Sequence, residues 1–407
     1  MTAPTLTGDP GSTCVSPELV ALQRIEAELN VELLEREDAI RAALLALLSQ
    51  SHLVLLGPPG TAKSHLVTAV ASRFCDTAGI GLSYFVYLLT RFTTPDELFG
   101  PVSVQGLKQD TYARITVGKL PEVQLAFLDE VFKASSAVLN SLLELLNGRV
   151  YDNGTTRQSV PLIACFGASN ELPQGDDLEA LWDRFLLRLQ VGYLGESGFD
   201  KLLGAAAVSL AARAAPSPTT LSQADLTALQ ARATAMPIPG SITSALVGLR
   251  RDLEQQHGII ASDRRWVQCL RLLQAHALLE GRDVVEEDDL AVLAHALWSQ
   301  PEQRAEIRRL VSRLANPTNA RAAELKDRAT EIWDTARQKL RDHTGEDGAA
   351  TRAQIALEAL SKIKKIAREL DGLFEQARDQ GRPTRRVEQA QAAVGTIKGA
   401  IIDSSEL

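Results

Sequence analysis

The stretch "GPPGTAKS", residues 57–64, contains residue types that can hold phosphate. Backbone N–H groups of a glycine-rich turn converge on an anion, and the N-terminus of a following helix adds partial positive charge. Gly57 and Gly60 let the chain curl around the phosphates, with Pro58, Pro59 and Thr61 filling the turn and His65 following it. Lys63 supplies a cation for the β- and γ-phosphates, and the Ser64 hydroxyl a ligand for Mg2+. The usual pattern, G-x-x-x-x-G-K-[ST], has glycine before the lysine; this chain has Ala62. That position is expected to open the helix with negative φ, where alanine is at ease, so that only room beside the phosphate is at stake. Taken alone, the stretch also fits a plain Gly-Pro strand-to-helix turn.

A second pattern, "LAFLDEV", puts Asp129 and Glu130 at the end of an apolar strand, 66 residues after Lys63. Adjacent carboxylates there divide the labour: Asp129 holds Mg2+ through water, and Glu130 orients or deprotonates the attacking water. An acidic strand end is the bland alternative, but loop and carboxylate pair in this order make chance a poor explanation. Asn170 closes "GASN", where its amide would position the same water or serve as a simple turn residue. "ALWDRFLLRL" reads as a helix carrying Arg184 and Arg188 four residues apart. An arginine offered to a neighbouring subunit's γ-phosphate stabilises transition-state charge; the alternative is a local Asp183–Arg184 surface pair. "SDRRW" opens another helix, with Arg264 or Arg265 placed to touch the γ-phosphate, or merely solvated beside a cap.

These residues need a scaffold, and the apolar pattern supplies one. An amphipathic helical pattern spans residues 17–48. "HLVLLG", "YFVYLL", "QLAFLDEV" and "PLIACFGASN" read as strands, and "KSHLVTAVASRFC" and "SAVLNSLLELLN" as helices. Such alternation implies βαβ units and a parallel sheet covered by helices. "TTPDELFG" is a helix start with Thr94 as its cap. Two polar hairpins interrupt the alternation, one within residues 102–118 and one at Asn153-Gly154, which fits a type I′ turn. Residues 195–300 read as helical, with Ser222 and Ser262 as caps and turn signals at "PSP" and "PIPG". From Pro301 onward three apolar stripes recur at helical spacing: Leu325, Ala329, Ile332, Ala336 and Leu340; then Ile355, Leu360, Ile363, Ala367, Leu370 and Phe374; then Val387, Ala390, Val394, Ile397 and Ile401. The breaks are "HTGEDG" and "QGRP". A helical hairpin or small bundle follows, or a solvated helical tail packing on the rest of the chain. The expected organisation is therefore a flexible start (1–15), an α/β nucleotide-binding core (16–194), a helical lid (195–300) and a helical extension (301–407).

Composition narrows the class. At 407 residues the chain holds two or three domains, and its 45% hydrophobic content suits a globular core. The net charge is −8; beyond residue 300, 20 Lys and Arg face 17 Asp and Glu, which leaves +3 there and −11 on the first 300 residues. That balance argues against strong binding to a phosphate backbone. Cys14, Cys75, Cys165 and Cys269 form no C-x-x-C pair, which fits a reducing compartment. The start lacks a signal-peptide pattern, and no apolar run reaches the ~18 residues a membrane helix needs. A soluble cytoplasmic protein is expected.

In their order, these stretches resemble the MoxR family of AAA+ ATPases and, within it, the RavA-like branch. The match runs over residues 18–298 and rests on "LLGPPGTAKSHL", "LLTRFTTPDELFGPVS", "GKLPEVQLAFLDEVFKASSAVLNSLLELLNGRVYDNG", "ASNELP", "LEALWDRFLLRL" and "SDRRWVQCLRLLQAHALLEGRDVV". The resemblance implies Walker A at residues 57–64, Walker B at Asp129 and Glu130, sensor 1 at Asn170, an arginine finger at Arg184 and sensor 2 at Arg264. It implies ATP and Mg2+, a ring that is usually hexameric, chaperone-like remodelling of protein partners, and a companion with a von Willebrand factor A (vWA) domain. The "GTAKS" loop is similar to that of MCM helicases as well, so a nucleic-acid-associated motor is the alternative, and a ring scaffold that binds nucleotide without turnover ranks last. RavA-like proteins carry a β-rich insertion in a helical C-terminal region; the short helical segment after Pro301 departs from that, so the branch's C-terminal function does not carry over.

Overall fold

The computed structural model describes residues 16–75, 79–208, 217–315, 317–341, 349–379 and 384–405. The N-terminal stretch with Cys14, the breaks "HTGEDG" and "QGRP", and the first proline of "PSP" lie outside them. The chain forms two compact units, Met1–Pro301 and Glu302–Leu407.

In the first unit, five strands make one parallel sheet. They are β1 (Leu53–Leu56), β2 (Tyr84–Leu88), β3 (Leu125–Asp129), β6 (Ala164–Ser169) and β7 (Leu187–Gln190), in the order β2-β3-β6-β1-β7. β1 and β6 are buried at every position, as strands covered on both faces must be. All five run the same way, so their C-terminal ends share one edge. β4 (Val150–Asn153) and β5 (Thr156–Ser159) form a separate antiparallel hairpin. Its two-residue turn is Gly154-Thr155, not Asn153-Gly154. Of these residues only Gly154 has positive φ (66°), as a type II′ turn requires. Asn153 is displaced into the strand and buried. Its amide accepts from Arg114 N–H (2.6 Å) and donates to the Arg114 carbonyl (3.0 Å).

The helical pattern at residues 17–48 is two helices, α1 (Pro17–Glu32) and α2 (Glu37–Leu48). The break lies at Glu35, whose φ is 56°. Long-range bonds hold it there: the Glu35 carboxylate accepts from Gly195 N–H at 2.8 Å. These bonds are invisible to periodicity, which runs through the break. After β1 come α3 (Lys63–Ser72), α4 (Pro95–Phe99), α5 (Val104–Leu107), α6 (Ser136–Gly148), α7 (Asp176–Trp182) and α8 (Glu196–Val208). Thr94 caps α4, its N–H donating to Glu97 at 2.7 Å. Residues 102–118 hold α5 and a single antiparallel bridge, Val102 to Arg114, rather than a regular hairpin.

Then follow α9 (Gln223–Thr234), α10 (Gly240–His257) and α11 (Asp263–Leu279). Ser222 and Ser262 cap α9 and α11, accepting from Asp225 N–H (3.2 Å) and Arg265 N–H (3.3 Å). α11 packs on α9, α1 and α2. Among the described residues no helix is long and apolar enough to cross a membrane.

In the second unit, α12 (Gln303–Ala315) packs on α13 (Pro317–Arg341), which packs with α14 (Ala349–Asp379) and α15 (Arg385–Ser405). Leu325, Ala329, Ile363, Leu370, Val387 and Val394 fill its interior.

Candidate active site

The loop between β1 and α3 sits at the sheet's C-terminal edge. Gly57 is bonded to the neighbouring strand, its N–H donating to the Ser169 carbonyl at 3.0 Å. A Cβ at Gly57 would strike the Val191 carbonyl oxygen, so glycine is needed there for the approach of β7. Gly60 has φ 80° with open space around it, so there the need is conformational.

Ala62 corrects the sequence reading. Its φ is 64° and ψ 24°, in the left-handed region, and it precedes the helix instead of opening it. Glycine at this position would serve the backbone, and alanine holds the conformation at a cost of about 1–2 kcal/mol. The loop is braced from behind. Thr61 is buried, its hydroxyl donating to the Pro58 carbonyl at 2.9 Å. Arg36, also buried, donates to the carbonyls of Thr61 (3.3 Å), Glu35 (2.7 Å) and Gly192 (2.8 Å). Sequence reasoning missed Arg36 and Glu35. Their signal was a run of four charges, "ERED", interrupting the helical pattern of residues 17–48.

Lys63 Nζ donates to the carbonyls of Gly57 (2.6 Å) and Pro58 (2.9 Å). Partial burial lowers its pKa, opposed by the charges of Asp129 and Glu130, which places both carboxylates within electrostatic reach of the lysine. Ser64 and His65 are exposed at the start of α3, and His65 Nε2 lies 3.8 Å from Glu32. Asp129 ends β3 and accepts from Glu130 N–H at 2.9 Å. Glu130 has φ 53°, a strained conformation of the kind that clusters at functional sites. Its Oε2 is buried without a hydrogen bond, although Lys133 Nζ is 3.2 Å away. Asn170 is exposed just beyond β6. Since β6 lies between β3 and β1, sheet order gathers Lys63, Ser64, Asp129, Glu130 and Asn170 at one edge. Ser64 offers a hydroxyl and Asp129 a carboxylate, a hard oxygen donor set suited to Mg2+.

The arginines lie elsewhere. Helix α7 ends at Trp182, so Arg184 and Arg188 do not share a helix face. Arg184 sits in the turn before β7. Leu187, three residues on, pairs with Leu53 at the start of β1. Arg184 is therefore at the N-terminal edge of the sheet, with the length of β1, roughly 10 Å, between it and its own loop. Its side chain is partly exposed but its Nε is buried without a hydrogen-bond partner, and its nearest acid is Asp183 at 3.9 Å. Burial lowers its pKa, as does Arg264, against Asp183. Arg264 reaches the same place from the other side, donating to Asn147 at 3.0 Å and to Asp183.

Arg188 and Arg265 are committed to structure. Arg188 is 1% exposed and donates to the carbonyls of Phe185 (3.1 Å), Trp182 (2.9 Å) and Trp298, with its guanidinium 4.1 Å from the Trp182 ring centroid. Arg265 is 2% exposed and donates to Asp183 (2.9 Å) and the Ala296 carbonyl (2.8 Å).

An all-parallel sheet with a phosphate-type loop after β1, acids at the end of β3 two strands away and a helical lid defines an AAA+ fold. The family model for the MoxR domain in MoxR-vWA-beta-propeller ternary systems matches residues 20–231, and that for an AAA lid domain matches residues 241–311. The chain belongs to the MoxR family of AAA+ ATPases. It is 36% identical to the uncharacterized protein MJ0812 of Methanocaldococcus jannaschii, over 93% of this chain and 97% of that one. It is 41% identical to MJ0079 of the same organism, over 76% and 77%. A crystal structure from Cytophaga hutchinsonii, of a protein assigned as an ATPase, superposes with TM-score 0.55 at 18% identity, covering 73% of this chain and 95% of that one, which shows the shared fold.

Proposed function

We propose that the chain is the ATP-hydrolysing subunit of a ring, hexameric as is usual in the family, that uses ATP for chaperone-like remodelling of a protein partner. The α/β core, residues 16–194, carries the nucleotide, the helical lid spans 195–300 and the helical extension 301–407. The observation that carries the reading is the separation of Arg184 from its own loop. One copy holds the phosphate-binding edge and presents its arginine at the opposite edge, so the site becomes complete only when a second copy docks.

In this reading, residues 57–64 cradle the phosphates, with Lys63 turned from its carbonyls onto the β- and γ-oxygens. Ser64 and Asp129 hold Mg2+, which when bound neutralises phosphate charge. Glu130 and Asn170 orient a water, Glu130 taking its proton as the oxygen attacks the γ-phosphorus and the bond to the β-phosphate breaks. Arg184 of the neighbouring copy stabilises the charge on the leaving oxygens, and Arg264 arrives with it. The matched model belongs to systems containing a vWA protein and a β-propeller, which supports a vWA-domain companion.

The test mixes two inactive variants. Glu130→Gln and Arg184→Ala should each lower ATP turnover about 100-fold or more. Mixed, they should regain activity, because the intact site of one meets the intact arginine of the other. No recovery at any ratio would overturn the reading.

A further inference from the structure

The Asp183 carboxylate joins the core to the lid helix α11. Oδ1 accepts from Arg265 Nη2 (2.9 Å) and Nε (3.3 Å), while Oδ2 accepts from Arg264. The Ser262 hydroxyl, at the N-cap of α11, donates to the same group at 3.2 Å. Asp183 thus meets α11 at its N-terminus, where the helix dipole favours a negative charge. On its own helix it is misplaced: it caps the C-terminus of α7, where the dipole disfavours an acid. Helix physics in α7 therefore gives no reason for an aspartate there, and the contacts to the lid do.

The three arginines around Asp183 are not equivalent. Arg265 is sealed in and anchors the lid. Arg264 and Arg184 retain partial exposure, with side chains 33% and 21% accessible, and each has a buried Nε with no hydrogen-bond partner. Two guanidiniums held side by side, short of acceptors, and one carboxylate shared among three cations leave this face seeking an anion.

We propose that Asp183 is a positioning residue. It holds the lid's Arg264 beside the core's Arg184, so that both guanidiniums reach the phosphates of a neighbouring copy's nucleotide as one unit, and lid displacement would part Arg264 from Arg184. This rests on the reading that Arg184 acts across a subunit boundary.

The experiment uses full-length Asp183→Asn, which keeps the shape and removes the charge. Turnover should fall at least tenfold, with the KM for ATP within about twofold, since the variant's own loop is intact. Mixed with Glu130→Gln subunits, Asp183→Asn should recover activity as Arg184→Ala does. Asp183→Glu keeps the charge that Arg265 needs but shifts its position. It should lose turnover at least fivefold with an unchanged melting temperature, and it serves if Asp183→Asn is too unstable to assay. Wild-type turnover in both variants would overturn the proposal. So would failure of the Asp183 mixture while the Arg184→Ala mixture recovers. If neither mixture recovers, the trans reading fails and this proposal with it.

Discussion

Lys63 is bonded to its own loop, its Nζ donating to the Gly57 carbonyl at 2.6 Å. The lysine is thereby held over the space the phosphates need, and a nucleotide has only to offer better acceptors. Lys63→Ala should weaken ATP binding by about 3 kcal/mol, or roughly 100-fold. The melting temperature without nucleotide should change little, because the carbonyls it leaves are partly exposed to water. Calorimetric titration with ATP checks this; binding within threefold of wild type would remove Lys63 from the site.

Ala62 makes a prediction about stability. With φ at 64°, glycine would relieve about 1–2 kcal/mol of backbone strain, while its extra freedom in the unfolded chain costs about 0.4–1 kcal/mol. Ala62→Gly should therefore leave the melting temperature unchanged or slightly raised, with ATP binding intact. Ala62→Val, β-branched in a region such residues avoid, should lower stability by about 2 kcal/mol and weaken binding. If valine proves neutral in thermal unfolding and titration, the left-handed conformation is not held in solution.

Arg188 and Arg184 should separate cleanly. Arg188 binds three carbonyls and stacks on Trp182, so Arg188→Ala should cost about 3 kcal/mol of stability. Arg184→Ala should leave denaturant unfolding nearly unchanged while removing turnover. A stable but inactive Arg188→Ala would return that residue to the catalytic candidates.

His52 predicts a pH dependence. It is fully buried, accepting from Cys165 N–H at Nδ1 (3.0 Å) and donating from Nε2 to the Leu146 carbonyl (2.9 Å). Burial, aided by the Arg149 charge, pushes its pKa down from 6.5 to about 3. The unfolded chain therefore takes up this proton first. Stability from the neutral ring is complete above pH 6.5 and is lost as pH falls towards 3, by at most about 1.4 kcal/mol per pH unit. Glu28, held down to about 2 by hydrogen bonds from Thr219 and Arg73, adds its own loss only below about pH 4.5. Between pH 6.5 and 4.5, His52→Gln should show a shallower decline in unfolding free energy than wild type. Equal slopes would refute the buried neutral ring.

Much of this fold was legible because apolar strands and helices have different periods, and strands such as β1 and β6 are buried throughout. The runs at Leu53, Tyr84, Leu125 and Ala164 all became strands of one parallel sheet. Illegible were the features that tertiary contacts decide. Period alone carries α1 through Glu35 into α2, whereas the bond to Gly195 breaks it. "DRFLLRL" has helical spacing but enters β7, because Leu187 and Leu189 fill the sheet beside β1. The conformation of Ala62 follows from closing the loop, which no propensity encodes. The acids and the lysine could be named from sequence, but which edge of the sheet each arginine occupies depends on strand order, and that separates Arg184 from Lys63.

The two bonds between Asn153 and the backbone of Arg114 also have a mechanical meaning. They tie the β4–β5 hairpin to the segment at residues 102–118, and a Cβ at Gly154 would collide with the Tyr112 carbonyl, so the two surfaces fit without slack. Helix α6 starts a few residues beyond Glu130 and runs directly into β4. A displacement beginning at that glutamate would pass along one stiff rod and emerge as the swing of a two-loop arm, with Asn153 as the rivet.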